Sequence, residues 1–227
     1  MRKLIYVPII HTSADLGSIA VEADKKGIAI CGKERWEEHK QTIAAYWEEL
    51  AAYFEVVDAK GFKIYQDGLV ANGEMGIKIV ADGVKRGSKN YEIIDRLIKK
   101  GAILVKTEDI NIVMKEYKSV KGLAGAKTFV GKSIVFIKHV RSKNKILEER
   151  DSYIANQVAE TLKEDETGIL FLGAHHNVVG KLPSDIEVIE LKDRNKVLNY
   201  MKGYYLRSKR KEMEELAEYL RDPITHV

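Results

Sequence analysis

An α/β protein, with a mostly parallel β-sheet flanked by helices, is the fold class this sequence predicts, on two observations. Short runs rich in β-branched and aliphatic residues alternate with amphipathic helical stretches along all 227 residues. The short runs are apolar at consecutive positions rather than at every second one, as in strands covered on both faces. The length suits one domain, 1–227, and no Gly/Ser-rich stretch divides it. The pattern leaves room for a helical insertion around 70–100 and a charged C-terminal helix over 193–220.

The elements follow in order. "KLIYVPIIHT" (3–12) reads as a central strand. Trp36, Ile43, Trp47, Leu50 and Phe54 recur at helical steps and predict a long helix from Glu34 to Val57, its apolar face turned to the core. "GFKIYQDG" (61–68) is a second strand. "EMGIKIVADGVKRG" and "NYEIIDRLIKKG" form a helical pair, with Ser88 as N-cap of the second and Gly101 as its C-terminal glycine. "AILVK" (102–106) is a third strand, and Thr107 is placed to cap a short helix through "EDINIVMKEY". The stretch 122–145 reads as helix, and Leu147, Ile154, Val158 and Leu162 continue one to Lys163. "GILFLGA" (168–174) and "IEVIEL" (186–191) are the fourth and fifth strands, and the 193–220 helix closes the chain.

Composition excludes several classes. The 38 basic and 34 acidic residues are interspersed and leave a net charge of +4, so there is no strong nucleic-acid signal. The abundance of Lys and Glu resembles that of thermophile proteins. A single cysteine, Cys31, makes no internal disulfide and belongs to no Cys/His zinc signature; it reads as a small buried hydrophobe. No stretch approaches twenty apolar residues, so no membrane segment is expected and the location expected is cytoplasmic. Tyr200, Tyr204 and Tyr205 mark a packing face or a homo-oligomer contact.

In a parallel sheet, ligands bind beyond the carboxyl ends of the strands. Those ends carry His11, Thr12 and Asp15 after the first, Asp67 after the second, and Thr107, Glu108 and Asp109 after the third. The fourth delivers His175, His176 and Asn177, and the fifth Lys192 and Asp193. Such a set supports two chemistries. His11, His176 and Asp67 can hold a divalent metal (Zn, Mn or Fe) that generates hydroxide, or His11 and His176 can act as bases on water without metal. Glu108 is a further ligand or a general base. His175 is the supporting neighbour, or the ligand in place of His176. The expected activity is a metal-assisted hydrolase acting on a small-molecule or peptide substrate.

The alternative is a non-catalytic protein that binds a small anion or nucleotide in the same cleft. Gly17 and Ser18 would offer donors beside Thr12, Asp15, Gly173, His175 and Asn177. "AKTFVGKS" (126–133) fits a relaxed phosphate-loop pattern, but its interior is not glycine-rich and a helix start accounts for it better. His39, His139 and the basic block of Arg207, Lys209, Arg210 and Lys211 read as solvated surface.

At the strand ends the chain resembles the superfamily of TraB pheromone-shutdown proteins, Tiki metalloproteases, haem-uptake ChaN proteins and erythromycin esterases. Its pattern is two G-x-x-H motifs after an early and a late strand, an early-strand carboxylate, and an E-R element on a helix. Gly173-Ala174-His175-His176 is similar to the second motif, Glu149-Arg150 to the E-R element, and Asp67 stands at the carboxylate position. The first motif departs from the pattern, with Pro8 in Pro8-Ile9-Ile10-His11 where the family has glycine. The resemblance implies that His176 is the motif histidine and that Arg150 stabilises negative charge or orients a carboxylate.

Overall fold

The computed structural model describes residues 1–16, 20–115, 129–206 and 210–225, including their side chains except at 16, 129–143, 205 and 206. Among the described residues, five strands form one parallel sheet: β1 (Arg2–Ile9), β2 (Lys63–Gln66), β3 (Ile103–Val105), β4 (Thr167–Gly173) and β5 (Ile186–Glu190). Their order is β3-β2-β4-β1-β5. The fold is therefore α/β, as the alternation of strand and helix predicts.

Side-chain alternation on the central strands divides the core into two layers. Ile5, Val7 and Ile9 of β1, with Ile169 and Phe171 of β4, face helix α3 (Lys33–Val56) and its neighbours. Those neighbours are α4 (Gly73–Lys85), α5 (Lys89–Lys99), α8 (Arg194–Leu206) and α9 (Arg210–Arg221). Leu4, Tyr6, Leu170 and Leu172 face the other way, onto Ile154 and Val158 of the long helix α7 (Phe129–Thr161) and Leu162 just after it. Two buried faces are the reason β1 and β4 are apolar without interruption.

Pro8 sits in a central strand because β1 has left β5 by then. The last β1–β5 pair is Tyr6 with Glu190, so Pro8 has β4 alone as its neighbour. Helix α3 then closes the strand end from above. Its Tyr46 hydroxyl donates to the Pro8 carbonyl and its Trp47 indole to the Ile10 carbonyl, at 3.0 Å for the latter.

Several expectations are refined. The first strand stops at Ile9, and α1 (Ser13–Leu16) follows at once. Helix α2 (Ala20–Cys31) was not expected, because its apolar residues are interrupted by charge and glycine; it packs on α3. The helices over 70–100 are no insertion. They are the β2-to-β3 crossover, and Val80, Ile93, Ile94 and Leu97 belong to the main core. Ser88 caps α5 as predicted, accepting from the Tyr91 amide at 3.4 Å. The short helix α6 (residues 110–115) is capped by Asp109, not Thr107, whose hydroxyl instead accepts from the Gln66 amide at 2.9 Å. The C-terminal helical stretch is two described helices, α8 and α9, rather than one. The 122–145 stretch is helical from Phe129 onward; 126–128 of the phosphate-loop look-alike lie outside the described residues, as do Gly17, Ser18, Arg207, Lys209 and His226. Among the described residues, no helix is long and apolar enough to cross a membrane.

Candidate functional site

The strand order decides which ends converge. β4 lies between β1 and β2, so His11, the Gly173–His176 turn and Asp67 come from three adjacent strands. Helix α7 crosses beneath them and contributes two consecutive side chains. Neighbouring helix positions diverge by about 100°, and so Arg150 and Asp151 reach different targets.

Arg150 turns toward β2 and β3. Its Nε donates to Glu108 Oε2 at 3.0 Å. Its Nη2 donates to Glu108 Oε1 at 2.5 Å and to Asp67 Oδ1 at 2.7 Å. Glu108 is fully buried, and its Oε1 also accepts from the Gly68 amide at 3.3 Å. Burial raises the Glu108 carboxyl above its ordinary range, although Arg150 opposes this. Burial pushes Asp67 up as well. There the His176, Arg150 and His11 charges and the Gly173 amide prevail, and it falls to about 2. Asp67 Oδ2 accepts from that amide at 3.1 Å.

Asp151 turns toward the end of β4. Its Oδ1 lies 2.5 Å from His176 Nδ1, and its Oδ2 accepts from the Asn177 amide at 2.9 Å. A carboxylate beside Nδ1 accepts from an Nδ1–H, so Nε2 is the nitrogen that accepts whenever the ring carries one proton. His176 is fully buried and its Nε2 has no hydrogen-bond partner; the nearest carboxylate oxygen, Asp67 Oδ2, is 3.8 Å away. The turn itself is fixed from behind. Arg194 donates to the His176 carbonyl at 2.7 Å, and the His176 amide donates to the Gly173 carbonyl at 3.0 Å.

A side chain at Gly173 would displace the His175 ring. A Cβ there would stand 2.9 Å from His175 Cε1 and 3.3 Å from Asp67 Oδ2. The exposed His175 ring lies over this glycine, its centroid 4.4 Å from that of His176. His176 is thus the buried member of the pair and His175 the one that meets solvent.

The other predicted residues divide. His11 is exposed at the end of β1 and close enough for its charge to lower Asp67. Asp15 ties the β1 end to α5: it accepts from the Thr12 amide and hydroxyl at 2.6 and 2.8 Å and from the Ser88 hydroxyl. Thr12 is thereby held by Asp15. Asn177 is exposed and enters the network through its amide. Lys192 lies apart, its ammonium on the Tyr219 and Asp222 carbonyls at 2.8 and 2.6 Å.

The expected metal set does not assemble. Among the described residues, no group of three or more His, Cys, Asp or Glu side chains is arranged to hold an ion. Asp67 has Arg150 on one oxygen and the Gly173 amide on the other, while His176 uses Nδ1 on Asp151. Asp67 is thus engaged on both oxygens while His176 keeps Nε2 without a partner, and the donors expected for Zn, Mn or Fe form no three-residue ligand set among the described residues.

Two features escaped the sequence. Asp151 carries no signal of its own there, although it stands next to Arg150 in the Glu149-Arg150-Asp151 triplet. The second is a cavity of about 480 Å³ beside His11, walled by α2 and α3. His39 lines it and is a correction: it is a partly buried ring, not a solvated one, with Nδ1 3.1 Å from the Tyr200 hydroxyl. Burial lowers it to about 4. Its charged sequence neighbours concealed this, since they point away along the helix. Compared with family models, curated proteins and solved structures, the chain gives no significant match.

Proposed function

We propose that the protein is a hydrolase of small neutral or cationic molecules in which the Asp151–His176 pair acts as the general base on water, without a bound metal. The observation that carries this reading is the buried His176 ring: Nδ1 is committed to Asp151 while Nε2 has no partner. An orphaned buried nitrogen is costly and marks a place where a ligand or water completes the set.

Water entering beside Nε2, on the side covered by His175, gives a proton to Nε2 as its oxygen attacks the carbonyl carbon. Asp151 and Asp67 stabilise the imidazolium that forms. His11, from the adjacent strand, donates to the carbonyl oxygen as it gains charge. When the intermediate collapses, His176 returns the proton to the leaving oxygen or nitrogen, and acid and alcohol or amine depart. Arg150 is a positioning residue that holds Asp67 in place. The anion-binding alternative has less support. The Arg150 guanidinium is already taken by Asp67 and Glu108 and the His176 Nδ1 by Asp151, which leaves neither of these donors to an anion.

The test is turnover of p-nitrophenyl esters by chelator-treated protein. Wild type is expected to retain its rate, and His176→Ala and Asp151→Asn to lower kcat by about 10²–10⁴ with folding intact. A His176→Ala variant as active as wild type, or a rate that disappears with the chelator and returns with added metal, overturns the reading.

A further inference from the structure

The cavity beside His11 is separate from the charged network and unlike it. Trp36, Ile43, Trp47 and Met201 form much of its wall, and His11 and Thr12 stand where it meets the end of β1. Its volume, about 480 Å³, is that of a small-ligand site.

The polar tips in the wall already have partners. The Trp36 indole donates to Asp24 at 3.1 Å and the Trp47 indole to the Ile10 carbonyl at 3.0 Å. His39 pairs with Tyr200 and lies tilted against Trp36, their ring centroids 4.9 Å apart. Its lowered pKa keeps the ring uncharged at neutral pH. The two lysines at the rim, Lys40 and Lys89, lie 2.8 Å from Glu37 and Glu92. A ligand entering this space meets ring faces, a branched aliphatic side chain and a flexible thioether, with the Asp24 carboxylate held by the Trp36 indole at its wall.

We propose that the cavity binds the uncharged alkyl chain of an acyl substrate, with the carbonyl directed to His11. This rests on the hydrolase reading for its substrate, but not for its binding. His11 is the shared residue: it lines the cavity and its charge reaches Asp67.

The test is calorimetric binding of butanamide, hexanamide and octanamide, which have the acyl chain and a carbonyl but no readily hydrolysed bond. Each added methylene is expected to tighten binding to the wild type about three- to fourfold until the space is full. Ala44 lines the cavity from α3 and is exposed, so Ala44→Phe narrows the space without entering the core. An unchanged melting temperature checks that, and octanamide affinity is expected to fall about tenfold or more. Absence of octanamide binding to wild type, affinity independent of chain length, or binding that Ala44→Phe leaves unchanged overturns the proposal. His176→Ala separates the two readings. Octanamide binding that persists while ester turnover is lost supports both. Octanamide binding by a wild type that hydrolyses no ester overturns the hydrolase and leaves the cavity assignment standing.

Discussion

Replacing Arg150 by Met tests the buried network directly. The guanidinium is the shared partner of two carboxylates, and the side chains of Arg150, Asp67 and Glu108 are 9%, 10% and 1% exposed. Screening by solvent is therefore slight. Removing one member of a buried ion pair costs about 3–5 kcal/mol, because the remaining charge has neither water nor partner. For a chain of this size each kcal/mol moves Tm by about 2–4 °C, so a fall of roughly 6–20 °C is expected near neutral pH.

The pH dependence sharpens the test. In the wild type Asp67 lies near 2, below its ordinary 3.8. Its lowered pKa contributes about 2 kcal/mol, fully present above about pH 4 and lost as pH falls through about 2. Glu108 has the opposite sign: its folded pKa is raised, so it favours the native state as pH falls and disfavours it as pH rises through that value. Without Arg150, Glu108 rises further and can be neutralised by a proton. The loss should therefore be smaller at about pH 5 than at about pH 8. Thermal unfolding followed by circular dichroism at both values is the assay. Arg150→Met/Glu108→Gln, which removes the stranded charge, should recover more than half of the loss. A single-variant loss below about 1 kcal/mol, or one equal at both pH values, would refute the idea that Arg150 neutralises buried charge.

Two further outcomes follow from packing and burial. His39 sits near 4 because of burial, below its ordinary 6.5. Its stabilising share is complete above about pH 6.5 and lost as pH falls through about 4, up to about 3 kcal/mol in all. His39→Phe should flatten the acid limb of the stability curve in chemical denaturation, and an unchanged limb would count against the buried ring. Gly83→Ala places a methyl 2.3 Å from Tyr91 Cδ2, at the contact between α4 and α5. A loss of about 1–3 kcal/mol is expected in the same measurement, and a neutral result would show that the two helices shift apart freely.

The parallel sheet was legible because β1 and β4 are buried on both faces, and an apolar run of strand length needs cover on each side. The convergence of His11, Asp67 and the His175-His176 pair was legible for the same reason, since parallel strands deliver their ends to one edge. Strand order was not, because it depends on which layer each crossover takes, and with it went the neighbourhood of His11 and His176. The roles were also hidden. Nothing in one dimension says that Glu108 and Asp67 share Arg150, or that Asp151 holds Nδ1 of His176. Helix α2 and the cavity it covers escaped for a simpler reason. "AVEADKKGIAIC" (20–31) has too diluted an apolar face to declare a helix, and its packing on Trp36 decides the matter.

The position of β4 has a consequence for how the chain comes into being. β1 and β2 both precede β4 along the chain, yet each takes it as a neighbour, and β4 begins at Thr167. Until that segment leaves the ribosome, the two earlier strands have no common partner and the edges that pair with β4 stay open. Long-range pairing of this kind forms slowly, and nascent intermediates with open edges are prone to self-association. A chain truncated before Thr167 should accumulate as aggregate, and any factor that shields emerging apolar segments should act on this protein before β4 arrives.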